Sequence, residues 1–197
     1  MYTPRHFQEE RPAALHDLIR QNPLATVVTL LPTGLEANHI PFLLEGNILR
    51  GHVARGNSLA RADGQAALVI FQGPQHYISP NWYASKSSEP RVVPTWNYVA
   101  VHAHGKIRTF EDKEGLLAIV SALTTHFESA SPAPWSVDDA PPEYIEKLLN
   151  AITGIEIPIE RLEGKWKVSQ NRTLEDRLST AEALSDHPMG AAIKAAL

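Results

Sequence analysis

The chain has 197 residues, 43% of them hydrophobic and 20% charged, with a formal net charge of −4 and no cysteine. That length suits one domain with a sizeable core, and the missing thiols exclude disulfides and thiolate metal sites. The 18 lysines and arginines are scattered rather than gathered into the patch that phosphate neutralisation demands, so DNA binding is not supported by the charge pattern.

No apolar run approaches the roughly 20 residues of a membrane helix, and the first residues carry no apolar signal core, so a soluble cytoplasmic protein is expected. From the N-terminus, "QEERPAALHDLIRQNP" predicts a helix. Pro12 is tolerated in a first turn, Leu15, Leu18 and Ile19 form one face, and Asn22-Pro23 ends it. "LATVVTLL" reads as a buried strand stopped by the turn "PTG". "LEANHIPFLLE" and "NILRGHV" then pair as strands around "EGN". "NSLARADGQ" is a short helical turn capped by Asn57 or Ser58, and "AALVIF" is a strand ending at "QGP".

An aromatic and proline-rich loop, "QHYISPNWYASKSSEPRVVP", leads into "WNYVAVHAHGKIRTF". The period of two there puts Trp96, Tyr98, Ala100, His102 and His104 on one face of a long strand. "EDKEGLLAIVSALTTHFES" predicts a helix with Leu116, Leu117, Val120, Leu123, Thr124 and Phe127 as its inner stripe. A proline-rich loop and a short helix, "EYIEKLLNAI", follow. "GIEIPIERLEGKWKVSQ" reads as two short strands joined by "LEG", and the tail as two helical pieces broken at His187-Pro188. Six or seven mostly hairpin-linked strands with helices at start, middle and end imply a mainly β fold with peripheral helices (α+β), an antiparallel β-barrel. A single domain over residues 1–197 is expected, with a helical extension from about 172 to 197. The dinucleotide glycine fingerprint and the P-loop are both absent.

Five stretches carry chemistry. In "GHVARGN", residues 51–57, glycine lets backbone approach a ligand and Arg55 can hold a phosphate, although a solvated turn is the plainer reading. In the aromatic loop, Ser79, Asn81 and Thr95 stand beside Trp82, Tyr83 and Trp96. Flat rings with a few directed polar groups suit a planar heteroaromatic ligand, and they equally suit a self-packed cap. "HAH" at 102–104 resembles half of a zinc or iron site, but no third ligand is evident nearby, so interface or structural histidines are expected and no metal. "NHIPF" at 38–42 can present backbone groups where Pro41 interrupts a ladder, or can be a simple edge strand. "KWKVSQNR" runs a strand into a helix start that either attracts an anion or is merely well capped. No nucleophile elbow accompanies any serine, so no catalytic residue is assigned.

Together, "GHVARGNSLAR", "LVIFQGPQHYISPNWY", "VPTWNYVAVHAHG" and "KWKVSQNR" resemble the PaiB family of FMN-binding negative transcriptional regulators, over nearly the whole chain. The resemblance implies a split β-barrel of the kind shared by pyridoxine-phosphate-oxidase-like flavoproteins, and a homodimer with FMN at the subunit interface. It implies that Arg55 and Asn57, with His52 behind them, take the phosphate and ribityl end of FMN. Ser79, Trp82, Thr95, Trp96 and Asn97 become the ring and ribityl wall. His39, Ile40 and Pro41 pass the ring edge through backbone, and Lys167, Gln170 and Asn171 reach the partner's site. No helix-turn-helix is visible to carry regulation, so an indirect regulatory effect is expected. Two other readings stay open: an FMN-dependent oxidoreductase acting on a small substrate, and a haem-binding split-barrel relative prompted by His102 and His104.

Overall fold

The computed structural model describes residues 1–197. In chain order it contains β1 (Gln8–Glu9), α1 (Pro12–Gln21), β2 (Leu24–Leu31), β3 (Gly34–Pro41), β4 (Leu43–Glu45), β5 (Ile48–Ala54) and β6 (Ala66–Ile78). There follow β7 (Thr95–Lys106), β8 (Arg108–Phe110), α2 (Lys113–Glu128), α3 (Pro142–Leu149), β9 (Ile152–Lys167), α4 (Leu174–Ala183) and α5 (Pro188–Lys194). The strands form one sheet in the order β3-β2-β6-β7-β9-β5-β4, with β1 and β8 adding to β9. No pairing joins β3 to β4, so the sheet stays open rather than closing into a full barrel. No helix is long and apolar enough to cross a membrane.

Local signals account for much of this. α1 buries Leu15, Leu18 and Ile19 as its spacing predicts. β2 pairs antiparallel with β3 along its whole length, Leu24 opposite Pro41 and Leu31 opposite Gly34. β4 and β5 meet antiparallel across the expected turn. The tail is helical in two pieces, and the His187 side chain caps the second by accepting from the Met189 N–H.

Five elements differ from expectation, each for a tertiary reason. "LEANHIPFLLE" is two strands, β3 paired with β2 and β4 with β5, parted at Phe42, whose side chain is buried in the core. β9 is one strand of 16 residues, not two joined by a turn at "LEG". A Cβ on Gly164 would lie 2.6 Å from the Glu9 carbonyl oxygen and 2.3 Å from Leu15 Cδ2. That glycine therefore admits β1, where Glu9 pairs opposite it; it does not make a turn. The strand expected to end at "QGP" continues through Pro74 to Ile78. The long strand of residues 96–110 breaks at Ile107, which is fully buried and exchanges backbone hydrogen bonds with Gly64 and Gln65. In α2 the buried row is Leu116, Ile119 and Leu123, while Leu117 and Phe127 are exposed. The i, i+3, i+7 spacing of Leu116, Ile119 and Leu123 keeps one narrow row against the sheet, so the apolar stripe is rotated from the predicted one.

The chain forms two compact units. Unit one comprises Met1–Asn22, Phe71–His102 and Glu163–Leu197. Its core includes Ile19, Phe71, Ile78, Val101, Val168, Met189 and Ile193, all fully buried. Unit two comprises Pro23–Ile70 and Ala103–Leu162, with Val27, Phe42, Leu49, Leu59, Val69, Ile107, Leu116, Ile155 and Ile157 inside. Truncating any one of these aliphatic side chains to Ala would cost about 2–5 kcal/mol through lost transfer energy and the cavity left behind.

Candidate functional site

In unit two, "NHIPF" and "GHVARGN" come together. A Cβ on Gly51 would lie 2.8 Å from the Pro41 carbonyl oxygen, so glycine is required for that approach. β3 is the terminal strand of the sheet, and its outer edge has no strand partner. Ile40 turns its side chain into the core at 3% exposure, which leaves its backbone for any outside contact. His39 stands opposite Thr26 in the ladder.

Asn57, rather than Ser58, caps the turn that follows, its Oδ1 accepting from the Leu59 N–H at 2.9 Å. Its Nδ2 donates to Asn38 Oδ1 at 2.7 Å, and Asn38 Nδ2 donates to Glu36 Oε1 at 2.9 Å. The Ser58 hydroxyl donates to the same Glu36 carboxylate. The Ser58 hydroxyl, and then the Asn38 amide, hold the Glu36 carboxyl below its usual pKa. Arg55 donates from Nε to the Ile152 carbonyl at 3.3 Å and pairs with Glu111 at 3.4 Å while half-exposed. His52 is half-buried, and burial pushes its pKa down, favouring the neutral ring. Its Nδ1 is buried without a hydrogen-bond partner.

In unit one, Thr95, Trp96, Asn97, Lys167 and Gln170 gather where β7 lies beside the end of β9. The Lys167 ammonium donates to the Thr95 hydroxyl and, at 2.6 Å, to the Trp96 carbonyl. Burial first, and then the neighbouring charge of Lys165, push its pKa down. Asn97 is buried and donates from Nδ2 to Ser169 Oγ at 2.8 Å, while its Oδ1 has no partner. Ser169 has φ 68°, the left-handed region that a side-chain-bearing residue seldom occupies. The Gln170 side chain is bound to its own turn, through the Val168 N–H and the Trp166 carbonyl. Asn171 is exposed.

Trp96 is half-exposed, its indole N–H donating to Gln75 Oε1 at 2.9 Å and its ring lying edge-on to Tyr77. Trp82 is half-buried against His76 at 5.7 Å. Ser79 Oγ is occupied as a cap, accepting from the Asn81 N–H. The first half of the aromatic loop is tied down rather than loose. Asp176, buried at the start of α4, accepts from the Ser85 N–H and hydroxyl, both at 2.9 Å. Arg172 lies over the Tyr83 ring at 4.6 Å.

Lys165 and Asp176 were invisible as site residues in the sequence. Lys165 lies two residues from Lys167 on the strand read after "LEG", and that period of two already put both on one face. His102 and His104 do share a face of β7, both half-buried.

The sequence profile of the family described as "Putative FMN-binding domain" matches residues 1–161. An uncharacterized protein of Emericella nidulans is 35% identical over 219 residues, spanning 90% of this chain and 87% of its own. The protease synthase and sporulation protein PAI 2 of Bacillus subtilis is 32% identical over 192 residues, spanning 94% and 90%. Among solved structures, the FAD and heme binding protein of Mycobacterium smegmatis aligns with a TM-score of 0.60 at 22% identity. That alignment covers 81% of this chain and 73% of the other, and it shows the fold, an antiparallel split barrel.

Proposed function

The chain belongs to the PaiB family of FMN-binding proteins, and from that premise we propose that it is a cytoplasmic, homodimeric flavoprotein that holds FMN and restrains gene expression indirectly. The observation that carries this reading is the Lys167 cluster: a cation held by Thr95 and the Trp96 backbone, beside a half-exposed indole and the unpartnered Asn97 Oδ1. A planar ring with polar edges and a phosphate tail needs those three kinds of group.

The donors present fit FMN. Arg55 and Lys167 supply cations for a phosphate, Trp82 and Trp96 supply flat apolar surface, and Asn97 Oδ1 and His52 Nδ1 are buried polar atoms still lacking a partner. In unit two, Arg55 and Asn57, with His52, take the phosphate and ribityl end, and His39, Ile40 and Pro41 offer backbone groups to the ring edge. In unit one, Ser79, Trp82, Thr95, Trp96 and Asn97 form the ring wall. Lys167 stands beside this wall and, with Gln170 and Asn171 just after β9, reaches toward the partner's site in the dimer. When bound, FMN supplies one- and two-electron chemistry that side chains lack; the chain's own part is to orient it and surround it with fixed dipoles.

The name of the Bacillus subtilis relative supports the regulatory half of the proposal. A net charge of −4 supports an indirect route rather than a DNA contact. The test is to titrate FMN into the purified protein and follow flavin fluorescence, with size-exclusion mass measurement alongside. Quenching with a dimer mass is expected. A colourless protein that leaves FMN fluorescence untouched overturns the flavin reading, and a monomer mass overturns the dimer.

A further inference from the structure

Beside the Lys167 cluster, unit one carries a second feature that FMN does not account for. Lys165 follows the same face of β9 and is only 7% exposed. Its ammonium donates to the Tyr2 carbonyl at 2.9 Å and lies 5.1 Å from the Tyr98 ring centre and 5.8 Å from that of Tyr2. Neither Lys165 nor Lys167 pairs with a carboxylate among the described residues; their partners are carbonyls, a hydroxyl and tyrosine rings. Glu163, the carboxylate two residues before Lys165, binds the Met1 ammonium at 3.0 Å. A buried cation without an anion is costly, and two neighbouring ones repel, so the local field favours a negative group.

A cleft of about 250 Å³ is lined by Gln72, Gly73, Gln75, Trp96, Tyr98 and Val99; neither ammonium lines it, but it shares Tyr98 with the Lys165 contact and Trp96 with the Lys167 contact. It is smaller than the ~300–1,000 Å³ of sites for drug-sized ligands, so it has room for one ring and not for a three-ring flavin. Tyr98 belongs to both features, since it lines the cleft and faces the Lys165 ammonium. Trp96 and Tyr98 offer ring surface, and the Gln72 and Gln75 amides offer edge contacts.

We propose that this cleft binds a one-ring aromatic carboxylate, its ring against Trp96 and Tyr98 and its carboxylate toward the Lys165 and Lys167 ammonium groups. Electroneutrality and ring size select the class together. A neutral ring leaves the two cations unpaired, and a carboxylate without a ring forfeits the aromatic wall. The proposal shares Lys167 and Trp96 with the proposed flavin site but does not depend on flavin binding, because the probes carry no flavin and Lys165 and the cleft are not part of that assignment.

The experiment is ligand-observed saturation-transfer NMR on the full chain with benzoate, benzamide and acetate, each titrated to a dissociation constant. Benzoate is expected to bind at least about tenfold more tightly than either control, a factor worth about 1.4 kcal/mol. Lys167→Gln and Trp96→Leu should each weaken benzoate about tenfold while leaving the far-ultraviolet circular dichroism unchanged. Lys165→Met should do the same, and if it fails to fold, Lys167→Gln and the wild-type comparison of the three probes still decide. Equal affinity for benzoate and benzamide, or benzoate binding indifferent to Lys167→Gln and Trp96→Leu, overturns the assignment.

Discussion

The Glu36–Asn38–Asn57–Ser58 cluster of unit two and the Thr95–Lys165–Lys167 cluster of unit one both carry charge on strand faces, yet they end in opposite states. In the first, each member has a partner in the cluster, and the carboxylate is stabilised by two donors. In the second, two cations have no carboxylate and a neighbouring amide oxygen, Asn97 Oδ1, has no donor. A closed network returns its desolvation cost within the fold, whereas an open one leaves interaction energy that only a ligand recovers. The contrast separates polar residues that hold the fold from polar residues that await something.

Substitutions in the two units test this contrast. Gly164→Val drives a side chain into the Glu9 carbonyl and Leu15, removing β1 from β9 and disturbing the strand that carries Lys165 and Lys167. It should cost roughly 3 kcal/mol in chemical denaturation; a loss under about 1 kcal/mol would mean that β1 is not seated there. Asn57→Ala removes a cap and the partner of Asn38 together, and should cost about 1 kcal/mol. On the functional proposal it also weakens FMN, so an unchanged unfolding midpoint would show that the unit-two network is not holding the fold.

The pH dependence is smaller. Burial places the folded pKa of His52 below its unfolded value of about 6.5. The unfolded chain therefore takes up the proton first, so stability is fully present above about pH 6.5 and falls as pH drops toward the lowered folded value. The thermal midpoint should decline over that window in the wild type and decline less in His52→Gln. Parallel profiles would place the lost stability elsewhere.

Much of the fold was legible because local chemistry and tertiary packing agree there. Leu15, Leu18 and Ile19 mark α1, and His187-Pro188 marks the break before α5. The hidden parts are those where a distant residue decides. Gly164 looks like a turn until β1 lies against it, Pro74 looks like a strand end until the strand runs on to Ile78, and the α2 stripe shifts because the sheet accepts one row of side chains. The site divides the same way. Residue types pointed to Thr95 and Trp96, the family resemblance added Asn97 and Lys167, and the fold gathers all four. Asn57 bonds to Asn38, nineteen positions away, and Asp176 ties down Ser85 across ninety-one. No periodicity announces pairs so distant.

The smallest stability effect belongs to the residue with the largest functional one. Lys167→Met removes a half-buried, desolvated cation and should leave the unfolding midpoint of the ligand-free protein unchanged to within about 0.5 kcal/mol. The most direct measurement is therefore a paired one, an FMN fluorescence titration and a denaturation curve on wild type and Lys167→Met. The account predicts quenching by wild type, binding weakened at least about tenfold in the variant through loss of a charge-assisted hydrogen bond, and coincident unfolding curves. Equal FMN affinity in the two proteins, or no quenching by wild type, would contradict it.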